Sequence, residues 1–261
     1  PPPGGLHHQL KLDRIQPGLK DRVVPSSGTG HLELGGKSAA IVLDDAELDL
    51  AQIGQQLFMA TMLNNGQTCF LSTRILAPRI RYAEVVEVMK QFADSLVVGD
   101  SLDPPTQIGP MVSQRQRDRV EDYIAKGKAE GGRIVTGGGR PEAQERGWFV
   151  QPTVFDGVDN NATIAREEIF GPVLTVLPYE NVDEAVSIAN DSEYGLRGPV
   201  WTSDLDRGMQ IARRVQTGSF GINTYFPDPV APIGGVKASG IGREYGPEAL
   251  ASYQHLISIY H

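Results

Sequence analysis

The sequence predicts an α/β fold with a largely parallel sheet, and two observations predict it. From Leu32 onward, short apolar runs bounded by Asp, Gly or Pro alternate with stretches whose apolar residues recur at helical spacing. At 261 residues and 40% hydrophobic, the chain also has material for a substantial core.

Residues 1 to 31 are dense in Pro, Gly and Ser and hold no apolar period, so they predict irregular chain. Ala39 to Leu43 (AAIVL) is a buried-strand run, ended by Asp44-Asp45. Leu50, Ile53, Leu57 and Ala60 mark a helix that Asn64-Asn65-Gly66 stops. Thr73 to Ala77 is a second strand, and Val85, Met89, Phe92 and Leu96 mark a second helix. Val120, Tyr123 and Ile124 give a third helix, ending near Gly131-Gly132. Val173 to Leu177 then predicts a strand, Val182 to Ala189 a helix, Val200 to Thr202 a short strand, and Met209 to Val215 a helix. In the tail, Tyr253, Ile257 and Ile259 would share one face of an extended segment, as in a terminal strand seeking a sheet edge on another subunit.

The net charge of −8 argues against a nucleic-acid footprint or a polybasic membrane patch. No apolar run approaches the roughly 20 residues of a membrane span, and PPPGGLHHQLKLDR has no apolar core of a secretory signal. The single cysteine, Cys69, suits a reducing compartment, so a cytoplasmic protein is expected.

Cys69 stands in NNGQTCF. A lone thiol closes no intramolecular disulfide; it is either a small buried hydrophobe or a nucleophile whose surroundings favour the thiolate. Glu33 lies in LELGGKS, between two leucines and before a glycine pair. It is either a solvent-facing strand glutamate or a base whose pKa an apolar pocket raises. The same stretch fails as a phosphate loop, because His31 stands where the first glycine is needed, and Glu33 breaks the dinucleotide fingerprint that Gly28 and Gly30 begin. The five histidines sit at the two ends of the chain, away from Cys69 in sequence, which argues against a Cys–His hydrolase.

Together LELGGKSAAIVLDDAELD, NNGQTCF, EEIFGPV and APIGGVKASGIGREYG, in that order, resemble the aldehyde dehydrogenase superfamily over roughly residues 32 to 261. The resemblance implies a three-layer catalytic domain at 32–237 and a carboxyl-terminal segment at 238–261 with an oligomerisation strand, after an unmatched 1–31. It implies that most of the dinucleotide-binding domain is absent, since no Pro-Trp-Asn or Phe-Thr-Gly-Ser segment is found. It makes Cys69 the nucleophile that forms a thiohemiacetal and then a thioester, and Glu33 the general base. It places Leu34, Gly35, Glu168, Phe170 and Gln116 beside an NAD or NADP cofactor, and gives Asn223 a scaffolding role. The implied partners are a small aldehyde and other copies of the chain. A second reading is a cofactor-incompetent thiol esterase or a non-catalytic oligomer partner.

Overall fold

The computed structural model describes residues 31–225, 228–254 and 257–261. The first half of the described chain runs β1 (Leu32–Glu33), β2 (Ser38–Val42), α1 (Leu50–Thr61), β3 (Ser72–Pro78), α2 (Tyr82–Ser95), α3 (Gln114–Ala129) and β4 (Arg133–Thr136). Then follow β5 (Thr153–Asp156), the single-turn α4 (Thr163–Arg166), β6 (Val173–Tyr179), α5 (Val182–Asn190), β7 (Tyr194–Gly195) and β8 (Arg197–Trp201). The last elements are α6 (Leu205–Ala212), β9 (Ser219–Ile222), β10 (Val236–Lys237) and β11 (Gly240–Ile241).

Seven strands form one sheet in the order β4-β5-β6-β3-β2-β8-β9, and only the β4–β5 pair at its edge is antiparallel. Strand side chains alternate between two cores, as the pleat requires. Ala39, Ile41 and Leu43 join Val120, Ile124, Val186 and Ile211 from α3, α5 and α6 on one face. Ala40 and Val42 join Leu57, Ala60, Val85, Met89 and Phe92 from α1 and α2 on the other. Helices on both faces explain why these strands are continuous apolar runs, and they confirm the α/β class.

Helix starts follow their caps. Asp49, Ser113, Asn181 and Asp204 each accept a backbone N–H from the first turn they precede. The Asp204 cap also corrects one expectation: the helix placed at Met209 to Val215 occupies Leu205–Ala212, and Val215 packs on the core from beyond it. The short strand expected at Val200 to Thr202 begins three residues earlier, at Arg197, and ends at Trp201. Thr202 instead meets Asn223, whose side chain accepts from the Thr202 N–H at 2.8 Å and donates to its carbonyl at 2.6 Å. This pair of hydrogen bonds pins β9's exit to β8's, as a scaffolding residue should.

Tyr253 ends a 3₁₀ helix, Pro247–Tyr253, so the expected terminal strand does not begin there. His255 and Leu256 lie outside the described residues, and 257–261 pair with no strand among the described residues. No helix of the described residues is long and apolar enough to cross a membrane.

Candidate active site

Topology brings three distant motifs to one edge. β2, β3 and β6 are parallel neighbours, and Gly35-Gly36, Cys69 and Glu168 to Phe170 each lie a few residues before one of them. The three segments therefore enter the sheet side by side at its amino-terminal edge. Open α/β sheets more often hold ligands at the carboxyl ends of their strands.

The approach to Cys69 is built by a left-handed turn. Asn64 (φ 53°), Asn65 (φ 60°) and Gly66 (φ 75°) all have positive φ, a conformation that asparagine tolerates better than most residues. Asn65 fixes the turn by accepting from the Gly109 N–H at 2.7 Å and donating to the Pro110 carbonyl at 3.1 Å. Gln67 accepts from the Val112 N–H at 3.0 Å, so QIGPMVS clamps this loop at both ends. Gly66 must be glycine for a second reason: a Cβ there would lie 2.3 Å from the Gly171 carbonyl carbon. The turn thus sits backbone to backbone on EEIFGPV.

Cys69 is half-buried at the end of this loop. Gly36 packs against it so closely that a Cβ would stand 2.3 Å from the Cys69 carbonyl oxygen. Its thiol is pushed up, first by burial and then by the Glu168 and Glu33 carboxylates, while the N–H groups of Cys69 and Phe70 oppose the shift. The expected bias towards the thiolate is therefore corrected for this chain: the two carboxylates disfavour a third negative charge.

Glu33 lies in β1, which pairs antiparallel with β11, and it is close enough to act electrostatically on the thiol. Burial raises its pKa in the direction base duty requires, with the Glu244 carboxylate adding to the effect. The ring beside it is one that distance in sequence to Cys69 had set aside: His31 Nε2 lies 3.5 Å from Glu33 Oε1 and 3.3 Å from Glu244 Oε1. Leu34 donates its N–H to the Ser239 carbonyl at 2.8 Å, fixing the strand that carries Glu33.

On the opposite side, Glu168 accepts the Gly36 N–H at 2.9 Å. Its carboxylate lies over Gly35, where a Cβ would meet Oε2 at 2.7 Å. Phe170 has φ 63°, an unfavourable conformation for a bulky residue, of the kind that gathers at functional sites. Neighbours hold it there: Gln116 Nε2 donates to the Phe170 carbonyl at 2.7 Å, and Arg119 Nη2 to the Glu168 carbonyl at 2.7 Å.

The sequence profile described as "Aldehyde dehydrogenase family" matches residues 26–259. The chain belongs to the aldehyde dehydrogenase family. It is 58% identical over 229 residues to geranial dehydrogenase of Castellaniella defragrans, covering 88% of this chain and 47% of that one. It is 47% identical over 231 residues to a betaine aldehyde dehydrogenase of Rhizobium etli, with coverage of 88% and 47%. Among solved structures it is similar to the Mycobacterium tuberculosis aldehyde dehydrogenase complexed with NAD+ (TM-score 0.81, 55% identity, 84% of this chain and 45% of that one). It also resembles aldehyde dehydrogenase C of Pseudomonas syringae, a mutant complexed with NAD+ and octanal (TM-score 0.85, 41% identity, 90% and 48%). The chain spans about half the length of the curated relatives it matches.

In this member of the aldehyde dehydrogenase family, an open cleft of about 560 Å³ runs beside Ser113, Gln116, Arg119, Glu168 and Phe170. Its residues fit one edge of a dinucleotide. Glu168 offers a carboxylate for hydroxyl donors, and Phe170 an aromatic face. Gln116 has its amide nitrogen committed to the Ile169 and Phe170 carbonyls, so here it braces the Phe170 loop. Lys37 of LELGGKS carries no signal of its own in the sequence. It is 2% exposed, its Nζ has no hydrogen-bond partner, and burial followed by the Arg74 charge pushes its amine down to about 7.

Proposed function

We propose that this chain carries the chemical half of an NAD(P)-dependent aldehyde dehydrogenase, oxidising an aldehyde to its carboxylic acid. The observation that supports this most is the convergence of Cys69, Glu33 and Glu168 from three separate segments of the chain. Relatives that act on geranial and betaine aldehyde, and NAD+ complexes among the structural neighbours, support the same reaction and cofactor.

The Cys69 sulfur, once deprotonated, adds to the aldehyde carbon and forms a thiohemiacetal. The Cys69 N–H donates towards the developing oxyanion, a contact worth about 3–4 kcal/mol at comparable sites. Glu168 and Phe170 would hold NAD(P), which would supply a hydride acceptor; oxidation of the carbon on the Cys69 sulfur gives a thioester. Glu33 takes a proton from water, which attacks the thioester, releases the acid and returns the thiol. The raised pKa of Glu33 makes it a better base than a solvent carboxylate. Leu34 fixes the base strand, Gly35 makes room for Glu168, and Gln116 braces the cofactor loop. The exposed tail residues Ile257, Ile259 and Tyr260 are assigned to contact with another copy of the chain.

Incubating the chain with aldehyde and NAD, and separately with p-nitrophenyl acetate, tests the proposal. NADH formation that disappears in Cys69→Ser supports it. Ester cleavage at Cys69 with no NADH would move the assignment to a thiol esterase.

A further inference from the structure

Beside the nucleophile loop stands a cation that no carboxylate among the described residues balances. Arg197 opens β8, whose parallel pairing with β2 puts it at the same sheet edge as Cys69. Its guanidinium carbon lies 5.5 Å from the centre of the Phe70 ring and 4.9 Å from that of Tyr225. Phe70 directly follows Cys69, and the two rings are 6.1 Å apart. The Tyr225 hydroxyl donates to the Phe70 carbonyl and lies 3.2 Å from Ser72 Oγ, so these rings are tied to the nucleophile loop.

The other arginine at this edge shows what a satisfied cation looks like. Arg74 donates to the Lys37, Ile188 and Ala189 carbonyls and to the Asn160 side chain. Arg197 is half-buried; among the described residues its Nε, shielded from water, has no acceptor, and no carboxylate is an electrostatic neighbour. The ring faces offset part of the lost hydration, but a guanidinium still wants a planar anion.

We propose that Arg197 is a specificity residue that selects aldehydes carrying a second, anionic group, and holds that group on its guanidinium beside the Phe70 ring while the carbonyl meets Cys69. The proposal rests on the reading of Cys69 as nucleophile. A neutral aldehyde forgoes the contact, and a cationic one is repelled.

Cys69 is the chain's single cysteine, so alkylation reports on one site. Iodoacetate and iodoacetamide differ mainly in charge, and the ratio of their rates at Cys69 reads the local field independently of general accessibility. Replacing Arg197 by methionine (Arg197→Met) is expected to lower the iodoacetate-to-iodoacetamide ratio about tenfold, equivalent to about 1.4 kcal/mol. Arg197→Lys should keep most of it, and added salt should lower the wild-type ratio towards that of Arg197→Met. Equal ratios in wild type and Arg197→Met would overturn the proposal. Should Arg197→Met fail to fold, a salt-insensitive wild-type ratio would overturn it alone. Failure of neutral iodoacetamide to label wild-type Cys69 is a separate outcome: it removes the nucleophile reading and the specificity role with it.

Discussion

The Gly36 N–H donates to Glu168 Oε1 at 2.9 Å across 132 residues of sequence. On its other side the same glycine lies against the Cys69 carbonyl. One backbone unit therefore sets the spacing between the Cys69 loop and the Glu168 carboxylate. Gly36→Ala should destabilise the fold by about 1–3 kcal/mol, since backbone cannot yield as a flexible side chain would. Urea unfolding monitored by circular dichroism measures the loss.

Asn65 works through its side chain as well as its left-handed backbone. Asn65→Ala removes the bonds to Gly109 and Pro110 and should lower stability by about 1–3 kcal/mol. Asn65→Gly keeps the backbone freedom and should lose less. An equal loss in both variants would assign the whole effect to the hydrogen bonds.

Much of this arrangement was legible in the sequence. Asn64-Asn65-Gly66 announced a helix stop, and AAIVL announced a strand buried on both faces. The elements that escaped are short or poorly patterned: β4 lies between Gly131-Gly132 and Gly137-Gly138-Gly139, β5 and β9 are four residues each, and β7, β10 and β11 are two residues each, held by pairing that no local period encodes. The direction of the Cys69 shift was also hidden. It depends first on burial and then on Glu168, which the parallel β3–β6 pairing brings near.

Cys69 alkylation should carry that shift. Because burial and two carboxylates raise the thiol, the iodoacetamide rate should keep climbing above about pH 8.5, where a free cysteine is half-ionised. Glu168→Gln should move the midpoint down. A midpoint at or below that of a free thiol would contradict the electrostatics described.

Lys37 gives a second pH signature. Its amine sits at about 7 in the folded chain, against roughly 10.4 for an unfolded lysine. Between those values the unfolded chain binds the extra proton, so the Lys37 contribution to stability rises with pH across that window. It is at its most unfavourable below about 7. The stability advantage of Lys37→Met over wild type should therefore shrink as pH increases from 7 to about 10, measured by paired urea titrations. A constant difference would show that the amine stays charged in the fold.

Glu33 as the water-activating base is the central claim, and intact-mass spectrometry after a pulse of p-nitrophenyl acetate tests it most directly. Wild type should carry a transient acetyl group on Cys69, Cys69→Ser none, and Glu33→Gln an acetyl group that persists because deacylation has lost its base. Equal, transient labelling of wild type and Glu33→Gln would contradict the assignment.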